Sequence, residues 1–327
     1  MAEPRPAKGW KGFGQVMSAS DSTIQTRWAT SHTRGLAALA AAVTAWGIGW
    51  PVNRAILYHL PPLTTVAVRS AIAAAALFAI AGSQRRLTLP DRQDVPVLLS
   101  ISLLHMTGYA ILTSIGLLFV PVGRSIVLAY TMPLWITPGA ALFLGERLTA
   151  RRAVGVILGL GGLAVLFNPF GFDWHNRQGL IGNGVLLLAA LLWAGSILHI
   201  RAHRWKAAPF DLIPWEMALA TLLLAVMALA IDGWPHIPWT GNLVLLMLYS
   251  ALPGTALAFW AAAVASQNLP AVTTSLGLLA APVIGIIASA LTLGERPTPT
   301  LITAIAMIIG GIVLGTIATG AARARLK

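Results

Sequence analysis

Ten long apolar runs constrain this chain more than any other feature. About 20 consecutive apolar residues of helix cross the hydrocarbon core of a bilayer, and single Pro or Gly residues inside such runs are tolerated in membrane helices. The sequence therefore predicts an all-α integral membrane protein with ten transmembrane helices. The runs lie at about 36–56, 63–82, 95–120, 123–143, 153–168, 180–200, 211–231, 243–266, 271–293 and 299–319.

The composition excludes a water-soluble fold and several kinds of chemistry. Hydrophobic residues make up 57% of the chain and charged residues only 10%, whereas soluble domains carry about 25% charged residues. The mean hydropathy is +0.77. The chain has no Cys, which excludes disulfides, thiol catalysis and zinc sites built on Cys.

The positive charges are distributed on one side of the predicted membrane. Of the 22 Lys and Arg residues, 17 fall in the two tails and in the loops that would share a face with them, and three fall in the loops of the other face. Positive charge accumulates on the cytosolic side of membrane proteins, so we expect both termini in the cytosol. The net charge of +12 is then explained by topology and by attraction to anionic lipid, and no nucleic-acid partner is expected.

An internal repeat divides the chain into two halves. The segment ALFLGER at 141–147 returns as ALTLGER at 290–296, an offset of 149 residues. Five helices separate the two copies, and because five is odd, the second copy enters the membrane from the opposite face. The pattern predicts two inverted five-helix repeats, the arrangement on which many alternating-access carriers are built. Other residues recur at offsets of 147 or 149: Trp46 and Trp193, Arg54 and Arg201, Pro121 and Pro270, Pro133 and Pro282, Glu146 and Glu295.

The repeat suggests four regions. We expect a polar, disordered cytosolic tail at 1–34, a first five-helix repeat at 35–169, a second, inverted repeat at 170–319 and a short cytosolic tail at 320–327.

In each half, the fourth helix contains a proline and ends in LGE, and a Gly-rich fifth helix follows. This pattern resembles EamA-type carriers of the drug/metabolite transporter superfamily. The aromatic-rich spans are similar to those of the YddG-like branch, which exports amino acids. This resemblance implies a multi-pass protein of the bacterial inner membrane. It also implies export or exchange of small metabolites, such as aromatic or neutral amino acids, by alternating access.

Few side chains inside the spans could hold such a substrate. A polar or aromatic side chain near the middle of a span lies too deep for the interfacial aromatic belt, and an ionisable one there is by default a functional candidate. The structural alternatives are contact with lipid or helix packing for each aromatic side chain, and a hydroxyl partner for the His. The predicted substrate-binding residues are Trp46, Trp50, His105, Tyr109, Tyr130, Trp193, Trp260 and Ser275.

Two prolines are predicted to act as hinges. Pro133 and Pro282 lack a backbone donor and should break their helices, so that the segment beyond each proline presents free N–H groups toward the middle of the membrane. In the Gly-Glu turns, Gly lets the chain reverse, and Glu lies near a helix start, which favours a negative charge. The turn is either a capped anchor for two helices or a gate contact.

Arg69 and Glu216 are expected to snorkel toward the interface or to brace the scaffold, which leaves an aromatic, neutral-polar cavity suited to a small zwitterionic or neutral molecule. We expect no enzyme, because HExxH, GxSxG and aspartate-pair motifs are absent, and no metal or other cofactor. The remaining alternatives are a nucleotide-sugar or other drug/metabolite carrier and a membrane scaffold without transport activity. The oligomeric state stays open.

Overall fold

The structure, a computed structural model, describes residues 13–146, 148–167 and 175–324. Within these ranges, the side chains of 13–31, 209, 271, 272, 275 and 316–324 are outside the description.

The described part of the chain forms ten helices and no strand, as predicted, and the protein is an all-α membrane protein. Nine helices contain segments long and apolar enough to cross a membrane, and the tenth contains the shorter apolar helix Pro299–Gly315 among the residues searched. The bounds agree with the predicted runs to within a few residues, except at the start of the first helix. The helices are α1 Phe13–Ile56, α2 Pro62–Ser83, α3 Val95–Phe119, α4 Val122–Phe143, α5 Ala150–Phe167, α6 Arg177–Ala202, α7 Pro209–Ile231, α8 Gly241–Asn268, α9 in the segments Ala271–Leu278 and Ala280–Leu293, and α10 Pro299–Ala324.

Helix α1 begins earlier than the hydropathy pattern suggests. It starts at Phe13, so it includes residues 13–34, for which the sequence predicts disorder. Residues 1–12 and 325–327 lie outside the described residues. The proposed division into tails and repeats stays a prediction.

The packing of the helices follows the two-fold repeat. Helix α1 of the first half contacts α8 and α9 of the second half, and α6, its counterpart, contacts α3 and α4 of the first. The remaining two pairs, α2 with α7 and α5 with α10, join equivalent helices. Five helices per half give the second repeat the opposite orientation in the membrane, so the fold is an inverted repeat.

Large apolar side chains cover the outside of the bundle. Leu142, Phe143 and Leu291 are 77%, 74% and 81% exposed. Such a surface would be an aggregation liability in water, but it is the surface that lipid chains solvate.

The helices α5 and α10 touch through their backbones. A Cβ atom added at Gly155 would lie 2.5 Å from the carbonyl oxygen of Gly311, and one added at Gly311 would lie 2.9 Å from the backbone nitrogen of Gly159. The motifs Gly155-x3-Gly159 and Gly311-x3-Gly315 thus form a seam of small residues, which lets membrane helices approach closely.

We expect Gly311→Ala to destabilise the protein by about 1–3 kcal/mol, because the new methyl group overlaps backbone atoms that cannot rotate away. Gly310→Ala is the matched control, since its Cβ would meet only Leu158 Cδ2, at 3.8 Å. The thermal unfolding midpoint in detergent measures both effects. Equal midpoints for the two variants would contradict the backbone contact.

Candidate functional site

A cavity of about 120 Å³ lies among seven helices from both repeats, α1, α2, α3, α4, α6, α7 and α8. It is formed halfway along several of these helices, where the two halves of the fold meet. Six of the eight predicted substrate-binding residues line it: Trp46, Trp50, His105, Tyr109, Tyr130 and Trp193.

The rings in the cavity form one connected cluster. His105 stacks on Trp193, with ring centroids 5.0 Å apart and planes 9° from parallel. Tyr109 lies tilted against the same indole at 5.0 Å, and Tyr130 meets it edge-on at 5.7 Å. These geometries are the favourable ones for aromatic pairs. The cluster forms an apolar wall with polar atoms at its ring edges.

The other two predicted residues are not among the lining residues. The side chain of Ser275 is outside the description. Trp260 is partly buried, and the cavity is lined instead by its neighbour Phe259, which contacts Trp46 at 5.7 Å and His105 at 5.7 Å between centroids.

A change of helix type accounts for this shift by one residue. Helix α8 contains a π-helical segment at Leu252–Leu257, and α3 contains one at Ile101–Tyr109, at matching places in the two repeats. A π-turn inserts an extra residue into the helical period, so the face that follows it is rotated relative to a regular α-helix. Pro253, which cannot donate a backbone hydrogen bond, was the available signal in the sequence.

A cation also lines the cavity, which corrects the expectation of a neutral site. The guanidinium of Arg69 donates from Nη1 to Asn53 Oδ1 at 3.3 Å, and Ser250 Oγ donates to the same oxygen at 2.7 Å. The Nε atom of Arg69 is buried and has no hydrogen-bond partner among the described residues. The sequence led us to expect a scaffold role for Arg69. Its place in the cavity lining could not be predicted, because its surroundings come from three helices.

Glu216 is separate from the cavity. It is 3% exposed, and Ser102 Oγ donates to its backbone carbonyl at 3.0 Å. Its neighbour Met217 lines the cavity, but Glu216 does not. No carboxylate is therefore present among the described lining residues.

Both predicted hinge prolines lie at helix breaks. The fourth helix is divided into Val122–Ala129 and Met132–Phe143, with Pro133 in the first turn of the second segment. The ninth is divided just before Pro282, between Leu278 and Ala280. The breaks lie where the sequence predicted them, and the hinge motion stays a prediction.

The two Gly-Glu turns have the same backbone but different partners. Gly145 and Gly294 have φ of 66° and 69°, the left-handed region that Gly adopts without strain. Glu295 accepts hydrogen bonds from the backbone N–H groups of Val122 at 2.7 Å and Gly123 at 3.0 Å, so it caps a helix of the other repeat.

At the opposite face, Glu146 forms ion pairs instead of a cap. It pairs with Arg152 at 3.2 Å and with Arg201 at the end of α6. Arg147, the Arg of the turn itself, lies outside the described residues.

Asp94 ties two loops together outside the membrane spans. It accepts hydrogen bonds from the backbone N–H groups of Lys206 and Ala207 and lies 2.8 Å from His203 Nε2. Burial raises the pKa of the Asp94 carboxyl, but these hydrogen bonds outweigh burial and hold its pKa below the usual value. His203 therefore has a structural partner, and the described residues contain no cluster of three metal-ligating side chains.

A larger recess of about 610 Å³ opens where α4 begins, between Arg124, Asn183 and Glu295. Its wall includes Phe167, next to residues 168–174, which lie outside the description. The smaller cavity is the better candidate because it contains the connected ring cluster around Trp193 and lies halfway along the helices, whereas the recess lies at a helix end.

Comparisons with known proteins place the chain among membrane transporters. The model of the "EamA-like transporter family" matches residues 33–168 and 180–317. The "Probable amino-acid metabolite efflux pump" of Escherichia coli (strain K12) is 28% identical, covering 87% of this chain and 95% of its own. The "Probable terminal-alkyne amino-acid exporter" of Streptantibioticus cattleyicolor is 27% identical, covering 85% and 91%. A solved crystal structure has the same fold, with a TM-score of 0.63, 20% identity and coverage of 89% of this chain and 97% of that one.

The neighbours Phe259 and Trp260 provide a test of the cavity. We expect Phe259→Ala to reduce the transport rate about tenfold or more, because a central aromatic side chain contributes much of the free energy of substrate binding. We expect Trp260→Ala to change the rate little. Initial rates in proteoliposomes, normalised to the amount of folded protein, measure both. The reverse order would assign the wrong face of α8 to the substrate.

Proposed function

Because the chain belongs to the EamA-like transporter family, we propose that it exports or exchanges small metabolites, namely aromatic or neutral amino acids, by alternating access. The membrane is the bacterial inner (plasma) membrane, and both termini are cytosolic. The orientation is supported by the distribution of Lys and Arg, 17 of which lie on the predicted cytosolic side.

The ring-lined cavity is the observation that carries this proposal. Trp193 of the second repeat is surrounded by His105, Tyr109 and Tyr130 of the first. A site between inverted repeats becomes accessible to each face in turn when one repeat moves against the other. Aromatic walls solvate an apolar side chain, and the polar ring edges, with the Arg69 guanidinium, face its charged end. The relatives named as a probable amino-acid metabolite efflux pump and a probable terminal-alkyne amino-acid exporter support the same substrate class.

Mechanistically, we propose facilitated diffusion or exchange. None of the described lining residues is a carboxylate, and His105 is the only one of the Asp, Glu and His types that relay protons in transporters. The broken helices α4 and α9 supply the moving parts, and the closely packed pair α5 and α10 supplies a fixed scaffold.

The nucleotide-sugar alternative is less well supported. Pockets for drug-sized ligands measure about 300–1,000 Å³, and this cavity measures about 120 Å³. A diphosphate would also need several cations, and Arg69 is the only Lys or Arg among the described lining residues.

The test is transport of labelled amino acids by the purified protein in proteoliposomes. We expect saturable exit of L-phenylalanine and of other neutral amino acids. Trp193→Ala should lower the rate about tenfold or more, since it removes the ring that contacts three others. Trp234→Ala is the matched control, because Trp234 is 80% exposed at a helix end. Absence of saturable transport for every amino acid offered would overturn the proposal.

A further inference from the structure

We propose that Arg69 anchors a substrate carboxylate, so that the cavity selects amino acids and other monocarboxylates over amines. This inference rests on the proposed function and specifies the chemical group that is recognised. It is carried by an incompletely bonded guanidinium in a membrane cavity.

The position of Arg69 makes it available to a substrate. At a rise of 1.5 Å per residue, it lies about 10 Å along α2 from Pro62, and it borders the cavity together with Tyr109 and Asn53. The structure gives it no ion pair with a carboxylate of the described residues. A partly buried guanidinium without an anion is expensive in a membrane, unless a ligand supplies the charge.

The bonds that Arg69 does make fix its orientation. Guanidinium has five N–H donors arranged in a fork that fits a carboxylate. One donor bonds to Asn53 Oδ1, and Ser250 holds that oxygen from the other side. A purely structural brace among α1, α2 and α8 explains this bond, but it leaves the buried Nε without a partner.

The surroundings of Arg69 fit the rest of an amino acid. Tyr109 lines the same cavity as Arg69 and belongs to the ring cluster around Trp193. A carboxylate on Arg69 would therefore lead directly to an apolar side chain on the rings. One guanidinium balances one negative charge, which favours monocarboxylates over phosphate esters.

Competition for L-phenylalanine transport tests the anchor. In the wild-type protein, we expect 3-phenylpropionate, which keeps the carboxylate, to inhibit transport, and 2-phenylethylamine, which keeps only the amine, to have little effect. Arg69→Gln should raise the KM for L-phenylalanine about tenfold to a hundredfold, because a charge-assisted hydrogen bond is lost, and should remove the preference between the inhibitors. Arg69→Lys keeps the charge without the fork and should fall between the two.

The outcomes separate the two proposals. If L-phenylalanine is transported and 2-phenylethylamine inhibits as well as 3-phenylpropionate, Arg69 is not the anchor, although the carrier function stands. An unchanged KM in folded Arg69→Gln leads to the same conclusion. If Arg69→Gln does not fold, competition in the wild-type protein decides the question. If no amino acid is transported, the proposed function itself is wrong.

The two Gly-Glu turns carry a second, independent inference. We infer that they are alternating latches, in which each Glu exchanges between the amide groups of a helix start and an Arg. The structure contains one turn in each arrangement. Glu295 binds the amides at the start of α4 and the hydroxyl of Ser289 at 2.7 Å, and Glu146 binds Arg201.

The repeat supplies the same parts at both faces. At the offset of 149, Glu295 corresponds to Glu146. At the same offset, Val122 and Gly123 correspond to positions 271 and 272, where α9 begins. The offset of 147 carries Arg201 onto Arg54.

Arg54 completes the comparison. It donates to the carbonyl oxygen of Leu117, near the end of α3, and not to Glu295. At that face, Glu295 accepts hydrogen bonds from backbone amides and Arg54 donates to a backbone carbonyl. At the other face, Glu146 and Arg201 bind each other. In the alternate state, Glu146 would bind the amides of 271 and 272, and Glu295 would bind Arg54. A carboxylate is favoured at either partner, by the helix N-terminus or by the charge.

Spin-label distances at the two faces test the exchange with both Glu residues intact. The chain has no Cys, so labels can be placed at Leu118→Cys with Pro297→Cys, and at Gln267→Cys with Leu148→Cys, positions that the offset of 149 relates and that are all exposed. Each pair should show a short and a long distance, and L-phenylalanine should shift the populations of the two pairs in opposite directions. Glu295→Ala should reduce the short population of the first pair, and Arg296→Ala, its exposed neighbour, should not.

A fixed cap would give a different result. If Glu295 only stabilises the fold, the first pair shows one distance under all conditions, and Glu295→Ala lowers the unfolding temperature without changing that distance. Populations that shift in the same direction at both faces would also overturn the exchange.

Discussion

Water is absent from the hydrocarbon core, and the structure depends on finding a partner inside the protein for each polar group placed there. Unbroken helices meet this demand for the backbone, and the breaks need compensation. At the break of α4, Thr131 donates its hydroxyl to the carbonyl of Leu128 at 2.6 Å and receives the indole N–H of Trp135 at 3.3 Å. On the proposed function, the incompletely bonded guanidinium of Arg69 marks the place where the substrate carboxylate binds.

The duplication distributes rigid and movable parts over the two halves. The glycine seam between α5 and α10 brings backbones into contact, and close contact of that kind tolerates little sliding. The broken helices α4 and α9 are instead held by α6 and α1 of the opposite half. A movement of one broken helix therefore changes an interface between repeats, and the cavity lies at that interface.

Local patterns in the sequence predict most of the fold and part of the site. Trp46, His105 and Trp193 stand out because rings and imidazoles at mid-span are unusual, and the helix breaks follow from Pro133 and Pro282. What could not be predicted depends on tertiary context. The π-segment turns Phe259 instead of Trp260 into the cavity, Arg69 cannot be assigned without its neighbours on α1 and α8, and the partner of Glu295 is 173 residues away along the chain.

Alternating access requires two states of similar free energy, because a gap of several kcal/mol would leave one of them almost unpopulated. Breaking the contact between Glu146 and Arg201 with no replacement partner would disfavour one of the two states. On the proposed exchange, each carboxylate leaves one favourable partner for another, and Arg54 has the Leu117 carbonyl when Glu295 is elsewhere. Since the two faces carry equivalent parts, what is lost at one face is regained at the other. The presence of the same Gly-Glu turn in both repeats then keeps the free energies of the two states similar. A bound substrate therefore needs only a modest difference in affinity for the two states to move the carrier between them.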